Sequence, residues 1–227
     1  METEDKKYIF RGELALAAVV VMNSLGVVLM LRSGAGISAI SSVPFAFSEV
    51  LPRLSLGTWN YLFQGLLVFS LMILKKRLVP QYLFSFVVGF AFGKMLDVHE
   101  LWVNTLPLGP GWQVLYFVLS YLILSFGIAV SNRCGLPIIP TDLFPRELSE
   151  IISAKYSRIK ISFDVICVAV TAAMTVPFLG HLEGLGIGTI LAAFTMGKMI
   201  GFMGDQMDQK IRFVSFLNHG RQPEAGR

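Results

Sequence analysis

The sequence predicts an all-α polytopic membrane protein: six transmembrane helices arranged as two inverted 3+3 repeats, each with a broken or re-entrant segment after its first helix. The first observation behind this is composition. Of 227 residues, 54% are hydrophobic and 15% charged, with a mean hydropathy of +0.66, whereas a soluble domain carries roughly 25% charged residues. The second is repetition. Ser24–Glu49 and Ser125–Glu150 overlay without a gap, matching at Ser24/Ser125, Gly26/Gly127, Arg32/Arg133, Gly34/Gly135, Ile37/Ile138, Pro44/Pro145, Ser48/Ser149 and Glu49/Glu150. Apolar composition alone yields chance Leu and Val matches, not a spaced Gly, Arg, Gly, Pro, Ser, Glu series, so one unit is used twice. A second echo, Phe90–Leu96 against Phe194–Ile200, shares the Gly-Lys-Met core. The third observation is the placement of charge between the apolar stretches, which orients the spans.

Taken in order, Met1–Lys7 is polar. Ile9–Leu31 is long enough to cross a bilayer, which takes about 20 residues; Lys6, Lys7 and Arg11 before it imitate the basic flank of a signal peptide. A signal core is shorter, about 7–15 residues, and the repeat uses this stretch as its first helix, so it is assigned to the mature chain. Arg32–Gly57 is broken by Gly34, Gly36, Pro44 and Pro52, too apolar for a loop and too interrupted for a crossing. Trp59–Leu74 and Gln81–Leu96 are the second and third spans, and Asp97–Gly111 connects the halves. Trp112–Val130 is the fourth span and Asn132–Lys160 repeats the broken segment, now with Pro137, Pro140 and Pro145. Ile161–Val176 and Gly184–Met203 are the fifth and sixth spans, joined by Pro177–Glu183. The repeats therefore occupy about 9–104 and 112–208, with a polar tail over 209–227.

Basic residues collect at the N-terminus, at Lys75–Arg77, between Arg133 and Lys160, and in the tail, while the third and fifth connectors carry no Lys or Arg. Cytoplasmic connectors carry the excess of Lys and Arg, which puts both termini in the cytoplasm; Arg32 and Arg53 are the exception. An odd number of spans per repeat forces opposite orientations on the two copies, the plan of many transporters, whose sites form where discontinuous helices meet near the midplane. The net charge of +4 reports these orientation signals and gives no indication of nucleic acid. Cys134 and Cys167 lack metal-ligand spacing and His99, His181 and His219 are far apart, so no metal or cofactor site is indicated.

Gly34 and Gly135 are placed to end a helix, and Pro44 and Pro145 to start or kink the next. Helices dipping inward there offer free N–H groups to an anion or polar group; the alternative is an amphipathic helix lying flat on each membrane face. Asp164, inside the fifth span, is the most informative residue, because a carboxylate there is costly and faces the protein interior; Lys160, one turn earlier, is its structural partner if it has one. Asp142, Glu150 and its match Glu49 are further candidates for proton or polar-substrate binding, and Asn23 for lining a path. Arg32–Glu49 and Arg133–Glu150 are candidate twin salt bridges, and Lys94 and Lys198 snorkel to the interface. Gly184, Gly186 and Gly188 resemble a phosphate loop but read as a helix-packing surface. No nucleotide-binding, Ser-His-Asp or zinc-protease pattern is present, so no enzyme is expected.

The series Gly26…Arg32-Ser-Gly34…Pro44, its copy with Pro140-Thr-Asp142-Leu-Phe144, and Gly186-Ile-Gly-Thr189 followed by Gly197 resemble the YczE/YyaS/YitT group of bacterial integral membrane proteins over roughly Arg11 to Asp208. Where that family often has Pro-Trp-Asp in the first copy, this chain has Ala39-Ile40-Ser41. The resemblance implies a bacterial cytoplasmic membrane location and no particular substrate. The pattern as a whole leads to the expectation of a secondary transporter or exporter of a small polar or charged solute. The alternative is a non-transporting membrane partner, either a ligand-binding subunit of an energised importer or a regulatory scaffold. Six short spans enclose little volume, which leaves room for a homodimer.

Overall fold

The computed structural model describes residues 8–215; Met1–Lys7 and the tail beyond residue 215 lie outside it. A short strand β1 (Tyr8–Arg11) leads into α1 (Gly12–Arg32), followed by α2 (Ala39–Val50), α3 (Leu56–Lys75), α4 (Pro80–Val103), α5 (Pro110–Ser131), α6 (Pro140–Ile151), α7 (Tyr156–Leu179), α8 (Ile187–Lys210) and β2 (Ile211–Val214). Among the described residues, six helices, all but α2 and α6, have the length and apolarity of a membrane span, with mean hydropathies from 1.2 to 2.5. Large apolar side chains such as Leu62, Leu66, Phe69, Phe84, Val87, Ile166 and Phe194 point outward. Around a soluble domain they would form an aggregating surface; around this one they face lipid.

Two details differ from the sequence reading. The last helix runs on to Lys210, and Ile211–Val214 pairs in parallel with Tyr8–Arg11, so 209–215 is structured where a polar tail was expected. Parallel pairing also holds the entry to α1 and the exit from α8 side by side.

The breaks after α1 and α5 are built alike. Gly34 and Gly135 both sit at φ +69°, a left-handed conformation that costs roughly 1–2 kcal/mol for a residue with a Cβ. Each turn reverses the chain into a helix of 12 residues. Pro44 and Pro145 lie inside these helices, at their sixth residue. Neither begins one: α6 starts on Pro140, where a missing N–H costs nothing, and α2 on Ala39. Inside a helix, proline removes the N–H that would bond the carbonyl four residues back, so Ile40 and Thr141 each lose their helical donor.

Every residue from Ala39 to Ala46 is buried. A helix lying flat on a membrane buries one face only, so α2 is inserted among the spans. It packs on α7, α3 and α8, while α6 packs on α3, α7 and α4. Between them α1 and α5 cross at the centre, with α4 against α1 and α8 against α5. The crossing is close. A Cβ on Gly127 would strike the Asn23 side chain, and one on Gly26 would meet Leu124 Cγ at 2.9 Å.

Gly184, Gly186 and Gly188 do not form a helix-packing stripe. Only Gly188 lies within α8; Gly186 precedes it and Gly184 is in the turn, at φ +72°. Together they let the loop after α1 lie on the start of α8: Ile37 N–H donates to Gly184 O at 2.8 Å, Gly188 N–H to Ala35 O at 2.8 Å, and Thr189 Oγ1 to Ile37 O at 2.7 Å. Small residues serve backbone contact here as well as close helix contact, since a Cβ on Gly188 would strike Phe117 of α5 and one on Gly184 would strike Phe45 of α2.

Candidate functional site

The first turns of α2 and α6 open onto one central cavity. Ser38, Ala39, Ile40 and Ser41 line it from one helix, and Ile139, Thr141 and Asp142 from the other. Asn23 and Val27 on α1, Leu124 and Ile128 on α5, Phe92 on α4, Lys160 and Asp164 on α7, and Ala192, Ala193 and Met196 on α8 complete the wall. Every helix except α3 contributes. The cavity itself is small, about 30 Å³, where one water needs about 10–15 Å³.

The lining mixes apolar side chains with polar ones from α1, α2, α6 and α7. The charged part is Lys160 and Asp164, one helical turn apart, with Lys160 Nζ donating to both carboxylate oxygens at 2.6 Å. Both side chains are almost fully enclosed, at 5% and 3% exposed. The pair is thus the arrangement in which a buried charge is tolerated: opposite in sign, bidentate and matched in length. Breaking it by removing one partner costs about 3–5 kcal/mol. Asp142 is 6% exposed and lies within electrostatic reach of Lys160, Arg146 and Asp164. It occupies the first turn of α6, where the helix N-terminus favours a carboxylate. Around these lie hydroxyls: Ser38 Oγ donates to Ser41 Oγ at 3.0 Å, and Thr141 is 7% exposed. Asn23 lines the cavity from α1, while its Oδ1 is buried against Gly127 of α5 and has no hydrogen-bond partner among the described residues.

Chemically, the site presents one ammonium, two carboxylates, three hydroxyls and an amide among apolar side chains. As it stands it has room for water-sized groups, so a solute would enter only as the walls move apart, and Asp142 can hold a proton without breaking an ion pair.

Of the residues singled out from the sequence, Asp164, Asp142 and Asn23 come together here. Glu49 and Glu150 do not. Both are exposed and lie in the last turns of α2 and α6, at the opposite end from the cavity. Their match in the repeat reports an equivalent helix end and no shared site. The expected twin salt bridges are absent too: Arg32 donates to the carbonyl of Leu106, and Arg133 grips Asp208 with two bonds of 2.8 Å. Lys94 and Lys198 are exposed. Ser41 was overlooked although the repeat marks it, since it is the counterpart of Asp142 in the gapless overlay. Glu147, buried on α6, is held by Lys75 and by Tyr82 Oη.

Six apolar spans around an enclosed, charged cavity define a multi-pass integral membrane protein. The chain belongs to DUF6198, a family of unknown function whose model matches residues 10–205. No curated protein matches it, and neither does any solved structure.

Proposed function

We propose that the chain is a secondary transporter or exporter of a small polar or charged solute in a bacterial cytoplasmic membrane, and that it performs no enzymatic step. One observation carries this reading: the Lys160–Asp164 pair and Asp142 face a cavity between the starts of two broken helices. A charged residue at the centre of a membrane helix costs at least about 2.5–3.5 kcal/mol on insertion scales, and such residues mark substrate and ion pathways.

The architecture supports an inverted-repeat carrier. Exchanging α1 with α5, α2 with α6, α3 with α7 and α4 with α8 maps the packing onto itself. The α2–α7 contact becomes α6–α3, α1–α4 becomes α5–α8, α3–α4 becomes α7–α8, α2–α3 becomes α6–α7, and α1–α5 is its own image. The overlay does the same at the centre, where Asn23 on Gly127 is exchanged with Leu124 on Gly26. In an inverted repeat, a pseudo-two-fold axis through the α1–α5 crossing would give two equivalent packings for the halves to rock between. The adjacent strands β1 and β2 suit an even number of spans with both ends on one side, and the basic connectors make that side the cytoplasm. The resemblance to the YczE/YyaS/YitT group agrees with this reading.

The test is a thermal-shift screen of small polar solutes on purified protein, since a specific ligand raises the melting temperature by mass action. Uptake into proteoliposomes under an imposed pH gradient follows. Asp142→Asn is expected to lose gradient-driven uptake while keeping solute exchange. Undiminished gradient-driven uptake removes Asp142 from coupling. A chain that binds a solute yet exchanges none fits instead a binding subunit of a larger importer.

A further inference from the structure

A second polar assembly lies outside the cavity, between α3 and α4 under the start of α6. Asn60, Gln64 and Ser85 are 1%, 0% and 0% exposed. Four of their atoms, Asn60 Nδ2, Gln64 Nε2, Gln64 Oε1 and Ser85 Oγ, have no hydrogen-bond partner among the described residues. Leaving each unmet costs about 1–3 kcal/mol, too much to be incidental. Asn60 and Gln64 are the fifth and ninth residues of α3, and Lys160 and Asp164 are the fifth and ninth of α7. One half of the molecule carries an ion pair at this register and the other an uncharged amide pair.

The orphaned atoms decide what belongs there. A cation would satisfy only the oxygens and an anion only the N–H groups; donors and acceptors together call for an uncharged molecule that both gives and takes hydrogen bonds. Water is such a molecule, and a buried site with three polar partners is what holds it.

The position of the site gives such water a role. A Cβ on Gly89 would strike Gln64 Oε1 and come within 3.2 Å of Pro140 Cδ, so the Gln64 amide sits against α4 and the start of α6. Two residues on, Asp142 faces the central cavity. Along the buried face of α4, Gly89, Ser85 and Tyr82 follow one another over about 10 Å at 1.5 Å per residue. Tyr82 Oη then donates to Glu147 Oε2 at 2.5 Å, and Lys75 holds the same oxygen.

We propose that Asn60, Gln64 and Ser85 hold a file of buried water that carries protons between the Glu147–Tyr82–Lys75 cluster and Asp142. This rests on the reading of the chain as a proton-coupled carrier. Each hop breaks one O–H bond as it forms the next: water passes a proton to Tyr82 Oη while Tyr82 passes its own to Glu147, and the reverse sequence returns it. The amides hold the water and do not themselves relay.

Two measurements on the full chain test this, and neither needs a solute. In radiolytic labelling with ¹⁸O water, Tyr82 is expected to be modified although it is 3% exposed, while Met30, at 0% in the apolar core, stays unlabelled. In infrared difference spectra of the purified protein after a pH jump, the Asp142 carboxyl band, assigned by its loss in Asp142→Asn, is expected to follow the jump more slowly in Ser85→Ala than in the native protein. Ser85→Ala and Gly89→Ala should also lower the Tyr82 labelling toward the Met30 baseline, the second by driving the Gln64 amide from its place. Melting curves separate loss of the file from loss of fold, and Ser85→Ala is the milder variant should Gly89→Ala not fold. Tyr82 as protected as Met30, or an Asp142 response unchanged in a folded Ser85→Ala protein, would each overturn the proposal. Solute binding in the thermal-shift screen is read independently, so the water file can fail while the carrier reading stands.

Discussion

The ion pair on α7 makes the sharpest quantitative prediction. Lys160 and Asp164 are bonded twice at 2.6 Å and almost completely enclosed. Asp164→Asn keeps the shape of the side chain and removes its charge, leaving the Lys160 ammonium without its bonded counter-ion and with only the more distant Asp142 carboxylate. Removing one member of such a pair costs about 3–5 kcal/mol. For a chain of this size each kcal/mol lowers the melting temperature by roughly 2–4 °C, so Asp164→Asn is expected to melt about 6–20 °C below the native protein. Lys160→Met should cost a similar amount. The double variant Lys160→Met/Asp164→Leu removes both charges and should recover most of the loss, because replacing a buried pair by apolar residues is often neutral or stabilising. The assay is thermal unfolding of purified protein in one detergent, followed by tryptophan fluorescence. Single variants that melt with the native protein, or a double variant no better than their sum, would refute the reasoning: the charges would then be solvated and the cavity wet at α7.

Other consequences can be checked separately. Cysteines placed at Arg53 and Lys155, both exposed just beyond α2 and α6, should label from opposite sides of sealed vesicles; labelling from one side would end the inverted arrangement. Glu49 is pushed above the usual carboxylate range by partial burial and by Glu183 nearby. A carboxylate with a raised folded-state pKa destabilises the fold above that pKa and ceases to do so as pH falls through it. Glu49→Gln should therefore raise the melting temperature slightly at neutral pH, converge with the native protein in acid, and leave solute binding unchanged. Gly36→Ala combines a φ of +100° with a Cβ that would meet Gly186 N and Thr189 Oγ1; overpacking costs about 1–3 kcal/mol before any backbone strain. Its melting temperature should fall by more than that of Gly201→Ala, where the added Cβ meets nothing.

The spans were legible because their signal is bulk apolarity, summed over some twenty residues and indifferent to small errors of boundary. The broken segments were legible for another reason: Gly34 and Gly135 share one left-handed turn, and a conformation that disfavours every side chain leaves its mark at a fixed place in both copies. The site was legible only in part. Asp164 and Asp142 stood out because carboxylates are expensive where they occur. Glu49 and Glu150 stand out equally by repetition yet lie away from the cavity, since repetition records common backbone, helix ends included. Asn60, Gln64 and Ser85 gave no signal at all. Uncharged polar residues are cheap enough in a helix to pass unnoticed, and only the packing of α3 against α4 and α6 shows that their partners are missing.

What the two halves share and what they do not have separate consequences. Shared residues, the paired turns and the paired prolines, give the central cavity two walls of the same shape. The unshared ones give it polarity. Ser41 faces the cavity from α2 where Asp142 faces it from α6, and the amide pair of α3 stands where α7 has its ion pair. A machine with exact two-fold symmetry would present the same chemistry to both sides of the membrane in its two states. In the proposed carrier, the carboxylate, the ion pair and the Glu147–Lys75 contact would make the two states differ in electrostatic energy, and the resting population would be biased toward one opening. Restoring an acid to the first copy by Ser41→Asp should shift that bias, and the accessibility of Arg53→Cys relative to Lys155→Cys to a membrane-impermeant thiol reagent reads it directly. Labelling ratios identical to those of the parent cysteine variants would mean that charge at this turn does not set the balance between states.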